Sequence, residues 1–454
     1  MTAPRVLSVI HAPHLGGPQR RNLALAQRFA ADGRAAFTVA LPEGAGAAAL
    51  RAAGVDVRAL PLGRVRATAD PRVQLRYLAG WPGDVGRLTR LIRTTRADVV
   101  LLNGLANPQA AVAARRAGVA LVWQILDTRT PPALVRLLRP LVHAWADCVM
   151  ATGAALAVDQ LGVDPDRWDG PLARTLAGRV VAFAPPVDAA RFRPDPAIRA
   201  GVRAELGLGD RPVVGTIANL TPQKGHDAFL DAAAALRRQR PEVAFVWLGD
   251  RFDGQAAYAD RLLRRARALG LGDLIVRPPG ARVHELAQAF DVAWLTSPAR
   301  SEGIPTAAGE AMALGCPLAG FRVGALPALL PPDQRALLHP PADAAGLAAT
   351  TAAVLADPFR RADLGAAARR TALRLYDPEG CAEAHLRAFE IARAHRTRGL
   401  ARQVWQSKLD DAECLEGFNQ MPEDCAGRAG CGEVQDGRRP GRKTRTQAKA
   451  EKRA

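Results

Sequence analysis

Lysine is almost missing from this chain of 454 residues: there are five, against 62 Lys and Arg together, and four of the five lie beyond position 400. Aromatic residues are also scarce, at 5%, which argues against the stacking platforms that single-stranded nucleic acids need. The six cysteines contain no Cys-x-x-Cys pair, so they offer neither a disulfide framework nor metal-ligand spacing, and reduced thiols are expected. No stretch approaches the roughly 18 apolar residues of a membrane-spanning helix. The N-terminus runs straight into the strand-like Val6-Leu7-Ser8-Val9-Ile10 with no charged-then-apolar leader, so a cytoplasmic protein is expected.

Positive charge is abundant, with a formal net of +18. Residues 401–454 carry 11 basic and 9 acidic side chains, so nearly all of the excess is arginine spread over the body. Nucleic acid is therefore not the expected partner; anionic small molecules or an anionic membrane surface suit such a body better. Apolar residues make up 48%, ample for burial, and the length suggests two or three domains.

Short apolar runs alternate with helix-patterned stretches throughout. Arg5–His11, Phe37–Leu41, Val55–Leu60, Asp98–Asn103, Leu121–Leu126, Asp147–Ala151 and Val180–Ala184 read as buried strands, with helices such as Gln19–Asp32 and Asp84–Thr95 between them. A second series follows: Val213–Ala218, Val243–Leu248, Leu274–Arg277, Asp291–Leu295, Pro317–Ala319 and Ala336–His339. This alternation predicts an α/β protein of two Rossmann-like, doubly wound domains facing across a cleft. The prolines of Pro185–Gly209 mark the boundary. The expected division is one Rossmann-like domain at 1–190, a second at 191–375, a helix at 376–400 packing back on the first domain, and a basic, disordered tail at 401–454. The tail's abrupt change of composition also fits an altered reading frame.

The one lysine of the body, Lys224, lies in Asn219-Leu220-Thr221-Pro222-Gln223-Lys224-Gly225, directly after an apolar run. A compact ammonium at a strand-to-turn junction is suited to an anion in a narrow loop, where a planar guanidinium fork is not equivalent. A second constellation, Ser301-Glu302-Gly303-Ile304-Pro305-Thr306-Ala307-Ala308-Gly309-Glu310, also follows an apolar strand and leads into an alanine-rich helix. Its first amides, around Gly303, Ile304, Pro305 and Thr306, favour negative charge. Glu302 and Glu310 supply acceptors for sugar hydroxyls, so one pocket could hold a sugar joined to a diphosphate. Either glutamate alone could equally be a helix-start or solvated carboxylate.

Glu302 and Glu310 with seven residues between them, Lys224-Gly225, Gly16-Gly17 and Val323-Gly324-Ala325-Leu326-Pro327 together resemble the retaining glycosyltransferases of family 4, which have the GT-B fold. The likeness spans roughly residues 5–395, with the more specific motifs in the second half. It implies that Lys224 binds the donor diphosphate, Glu302 contacts the donor sugar, Glu310 holds the ribose hydroxyls, and Gly16 and Gly17 approach the phosphate and sugar from the other domain. Donor-binding residues are thus Gly16, Gly17, Lys224, Glu302, Gly303, Ile304, Pro305, Thr306 and Glu310, with Lys224 and Glu302 serving the chemistry.

The expected activity moves a sugar, of hexosyltransferase type, from a nucleoside diphosphate to a hydroxyl of a glycan or glycolipid, in cell-surface polysaccharide or lipopolysaccharide synthesis. No cofactor or metal is expected; Asp164-Pro165-Asp166, the clearest Asp-x-Asp, lies outside the motifs. His14 and Asp127 are the acceptor-side candidates. Peripheral contact with the inner membrane face is a further expectation, since Thr130–Trp145 is amphipathic, although packing of its apolar side on the core explains the same pattern.

The chain departs from the family pattern at Asn219, where many relatives carry a second phosphate-binding arginine. It departs again at Gln124, where a histidine is frequent, at Pro185-Pro186 in place of Asn-Gly, and at Ala328. A nucleotide-sugar epimerase, a phosphorylase or a non-catalytic nucleotide-sugar binder of the same fold remain open alternatives.

Overall fold

In the computed structural model the described residues are 2–65, 70–105, 107–126, 130–162, 176 and 178–418. Among the described residues thirteen strands form two sheets. The first holds β1 Arg5–Val9, β2 Ala36–Leu41, β3 Asp56–Ala59, β4 Val99–Asn103, β5 Ala120–Ile125, β6 Cys148–Ala151 and β7 Val180–Ala182. The second holds β8 Val213–Ile217, β9 Ala244–Leu248, β10 Ile275–Arg277, β11 Val292–Leu295, β12 Leu318–Phe321 and β13 Leu338–His339. The orders are β3-β2-β1-β4-β5-β6-β7 and β10-β9-β8-β11-β12-β13, every pairing parallel.

The strands are parallel because each apolar run is followed by a helix that must cross over the sheet to reach the next. Both faces are then covered, which is why β4, β5 and β9 are buried at every position rather than alternating. In each sheet the winding direction reverses once, between β1 and β4 and between β8 and β11. Loops leaving the carboxyl ends of such strand pairs splay apart and leave a crevice.

The helix expected at Asp84–Thr95 begins earlier, at Pro71, and runs to Thr94. Asp70 caps it by accepting a hydrogen bond from Arg72 N, and Pro71 occupies the first turn, where its missing N–H costs nothing. Gly80, Pro82 and Gly83 broke the periodicity on which the shorter expectation rested. Residues Cys381, Ala382, Ala388, Phe389 and Ala392 of the last helix, Pro378–Phe418, lie in the core that covers one face of the first sheet. The segment 401–454 is a separate unit, and its residues from 419 lie outside those described.

The chain passes between the sheets twice, and the two passages touch. Val187 N donates to Tyr376 O at 2.8 Å. The Tyr376 hydroxyl in turn donates to Pro305 O at 3.2 Å, in the loop that carries Glu302.

Candidate active site

Lys224 and Glu302 are 78 positions apart, yet Lys224 Nζ lies 2.7 Å from Glu302 Oε1. The reason is topological. Lys224 follows β8 and Glu302 follows β11; β8 and β11 are hydrogen-bonded neighbours at the reversal point of the second sheet, so their exit loops share one side of one crevice. Ser297 Oγ donates to the same Glu302 oxygen at 2.7 Å and orients the carboxylate.

Gly225 makes the Lys224 turn possible. Its φ is +66°, and a Cβ there would overlap the carbonyl oxygen of Thr296 at the end of β11, so the two loops approach backbone to backbone. Behind them His226 is buried, with Nε2 donating to Asn219 O at 3.0 Å and its ring against Trp247. Burial pushes its pKa down to about 4, so it is neutral at ordinary pH.

Glu310 sits inside the helix Thr306–Ala313 and is buried. Desolvation raises its pKa, opposed by Arg20, Arg191 and Lys224. Arg20 NH1 lies 3.9 Å from Glu310 Oε1 and comes from the opposite sheet, in the first turns of the helix Gly17–Asp32. Pro305 is the N-cap of the Glu310 helix, and Thr306 its first residue.

Gly303 is where the two halves meet. A Cβ on it would collide with Thr152 Oγ1 and overlap Leu126 O, both from the first sheet's side. Its own carbonyl accepts from Ala325 N at 3.0 Å, which joins the Val323–Pro327 motif to the Glu302 loop. Ile304 lies within reach of Gly153. Nearby, Arg300 forms an ion pair with Asp159, and the His14 ring lies 5.2 Å from that of Phe252 across the same boundary.

Gly16 and Gly17 lie at the start of the helix that follows β1. The Gly16 amide is occupied, donating to Gln19 Oε1 at 3.1 Å, while a Cβ on Gly17 would meet nothing within 4 Å. Gly17 is thus the member of the pair with open space before it. Asp127 and Asp164-Pro165-Asp166 lie outside the described residues. Among the described residues no group of three or more His, Cys, Asp and Glu side chains is placed to hold a metal ion.

Two departures acquire a physical reading. Asn219 has a structural partner: its Oδ1 accepts from Asp250 N at 3.0 Å and staples two loops. Gln124 is fully buried, accepting from Arg21 NH2 at 2.7 Å and lying 2.8 Å from His385 Nε2 of the last helix. It belongs to the interior, not to the acceptor surface. Ser297, Arg20 and Tyr376 were not singled out in the sequence. Arg20 carried one legible signal, its place four residues after Gly16; Ser297 and Tyr376 carried none, because only the sheet order and the second passage of the chain bring them to the loop.

Comparison with known proteins agrees with this architecture. The family model described as glycosyl transferases group 1 matches residues 200–371, and that described as glycosyl transferase 4-like domain matches residues 16–214. A GDP-mannose-dependent alpha-(1-6)-phosphatidylinositol monomannoside mannosyltransferase of Mycolicibacterium smegmatis is 34% identical over 197 residues, 42% of this chain and 50% of that protein. A D-inositol 3-phosphate glycosyltransferase of Frankia alni is 34% identical over 220 residues, 46% of this chain and 50% of its own. The matches thus span about half the length of these curated relatives. Anabaena HepE, solved with UDP and glucose, shares the fold with a TM-score of 0.68 at 20% identity, over 84% of this chain and 97% of that one. By its motifs, its two family matches and its paired parallel sheets, the chain belongs to the group 1 glycosyltransferases of family 4, with the GT-B fold.

Proposed function

We propose that the protein transfers a hexose, with retained configuration, from a nucleoside diphosphate sugar to a hydroxyl of a glycan or glycolipid. The observation that carries this reading is the Lys224–Glu302 ion pair, with buried Glu310 within electrostatic reach of the same Lys224. An ammonium and a carboxylate that neutralise each other can exchange partners when a substrate bears both a phosphate and sugar hydroxyls. Lys224 turns to the diphosphate, and Glu302, still held by Ser297, accepts from a sugar hydroxyl. Glu310 then accepts from the ribose hydroxyls, an arrangement supported by its depth and by the family resemblance.

In the transfer the bond from sugar C1 to the phosphate oxygen breaks and its electron pair stays on the diphosphate. The acceptor oxygen bonds to C1 and gives its proton to the departing diphosphate. Negative charge grows on the departing group, and Lys224 and the start of the Thr306 helix lie where that charge is stabilised. Retention is carried by the family resemblance, and the geometry assigns no enzyme nucleophile.

On this reading the acceptor binds on the first-sheet side, a choice supported by the exposure of His14 at the domain boundary. The relatives named above act on phosphatidylinositol mannoside and inositol phosphate, which supports a polyol-bearing acceptor and a role in making a cell-envelope glycan or glycolipid. No helix among the described residues is long and apolar enough to cross a membrane. Exposed leucines on two helices of the first domain support peripheral contact with an anionic membrane instead.

The deciding experiment incubates the protein with a panel of nucleoside diphosphate sugars and candidate acceptors and detects products by mass spectrometry. An acceptor gaining one hexose, with release of the nucleoside diphosphate, is expected. Rearranged donor, phosphate-dependent glycan cleavage, or binding without turnover on every acceptor would each overturn the reading.

A further inference from the structure

A nucleoside diphosphate sugar carries a negative charge on each phosphate. On the second-sheet side Lys224 is bonded to Glu302, and Asn219 Oδ1 accepts from Asp250 N. Arg191, also within electrostatic reach of Glu310, is occupied: its Nε donates to His284 Nδ1 at 3.2 Å and its NH2 to Ala281 O. Arg199, Arg203 and Arg369 are tied to Asp291 or to backbone carbonyls.

Arg20 differs from all of these. Among the described residues its guanidinium makes no hydrogen bond, and its one ionic partner is Glu310 Oε1 at 3.9 Å, beyond hydrogen-bonding distance. Its side chain is 41% exposed, so the donors are accessible. It projects from the first turns of the Gly17–Asp32 helix, beside Gly17 and the open space in front of it. A guanidinium has five N–H donors in a planar fork that matches phosphate oxygens.

We infer that Arg20, reaching across from the first domain, is the second diphosphate-binding cation of this chain, replacing the arginine that Asn219 does not supply. The inference rests on the nucleotide-sugar reading above and adds a residue from the opposite sheet. Arg20 rests near Glu310. When donor enters, the ribose takes Glu310 and Arg20 swings to the phosphates, so one ligand exchanges both partners of a loose pair and draws the two domains together.

The test is calorimetric, on the full chain, with UDP, UMP, uridine and the corresponding guanosine series as probes, for wild type, Arg20→Gln and Arg20→Lys. Arg20→Gln is expected to weaken diphosphate binding about tenfold or more while changing nucleoside affinity by less than about twofold. Arg20→Lys, which keeps the charge and loses the fork, should recover part of the loss. Equal weakening for nucleoside and diphosphate, or unchanged diphosphate affinity, overturns the role of Arg20 and leaves the nucleotide-sugar reading intact. Wild-type protein that binds neither diphosphate overturns both. Thermal unfolding of each variant accompanies the titrations, and an Arg20→Gln protein that melts well below wild type while Arg20→Lys binds diphosphate normally also counts against the fork.

Discussion

Lys224 and Glu302 are joined by a 2.7 Å ion pair although each is held by the exit loop of a different strand, and no segment of the chain brings them together locally. The pair is part-exposed on the lysine side and nearly buried on the carboxylate side, so its value lies in exchange of partners more than in stability.

Lys224→Ala should therefore lower turnover by roughly a hundredfold or more, in line with removal of one preorganised charge from a developing anion. Lys224→Arg should not restore it, because a wider fork replaces a point charge in a turn already closed by Gly225. Steady-state kcat on the identified donor and acceptor checks this; near-normal turnover for Lys224→Ala would remove its role.

Glu310→Gln separates stability from binding. Its carboxyl is raised in pKa by burial, so the folded state prefers it protonated: its stabilisation is complete at low pH and is lost as pH rises through the folded value. Burial penalises the charged form, so the isosteric amide should melt at the same temperature as wild type or higher. Nucleotide-sugar affinity should fall about tenfold, since one carboxyl acceptor for hydroxyls is lost. A lower melting temperature with unchanged affinity would contradict both halves.

Acid should weaken the fold through two buried histidines. His226 is pushed down to about 4 and His385 to about 3, in both cases chiefly by burial, with Nδ1 of His385 donating to Cys381 O at 2.7 Å. Unfolded, each titrates near 6.5, so below that pH the unfolded chain binds protons that the folded one does not. Stability is full above about pH 6.5 and falls as pH drops toward 4, by up to about 1.4 kcal/mol per pH unit for each histidine. Denaturant midpoints measured at pH 7 and pH 5 should differ, and His385→Gln should shrink the difference; equal midpoints for wild type would refute it.

The proposed membrane contact turns on three exposed leucines. Leu75 and Leu78 are 65% and 60% exposed on the Pro71–Thr94 helix, and Leu137 is 69% exposed on the helix Pro132–Trp145. Arg72, Arg76 and Arg136 beside them are exposed as well. Both helices pack their other sides on the same core, Val85, Leu88 and Ile92 from one and Val135, Leu138 and Val142 from the other. Basic and apolar groups on one face suit an anionic bilayer. Wild type should co-sediment with phosphatidylglycerol vesicles and not with phosphatidylcholine vesicles, and Leu75→Ser, Leu78→Ser and Leu137→Ser combined should reduce binding severalfold. Equal sedimentation of the triple variant would discard this surface.

The strand runs and their alternation with helices were legible because a parallel strand covered on both faces must be apolar along its whole length, as Val99–Asn103 and Ala120–Ile125 are. The chemistry-bearing types were legible too: a lone ammonium at a strand exit, and two glutamates around a helix start. The early start of the Pro71–Thr94 helix was hidden because Gly80, Pro82 and Gly83 interrupt a periodic pattern that the cap at Asp70 nevertheless launches. Gln124, which stands where a histidine is frequent in relatives, is interior because its partners, Arg21 and His385, come from helices 103 and 261 positions away.

By itself, then, the order of residues determined which segments are strands, which loops carry Lys224, Glu302 and Gly17, and which side chains have the right chemistry. Those are local matters of periodicity, turn geometry and residue type. The tertiary structure alone decided that β8 lies against β11, that Ser297 orients Glu302, that Asn219 is spent on Asp250, and that Arg20 faces Glu310 from the other sheet. Sheet order and domain apposition are set by the burial of whole faces, a property of many residues at once, and no local pattern records it.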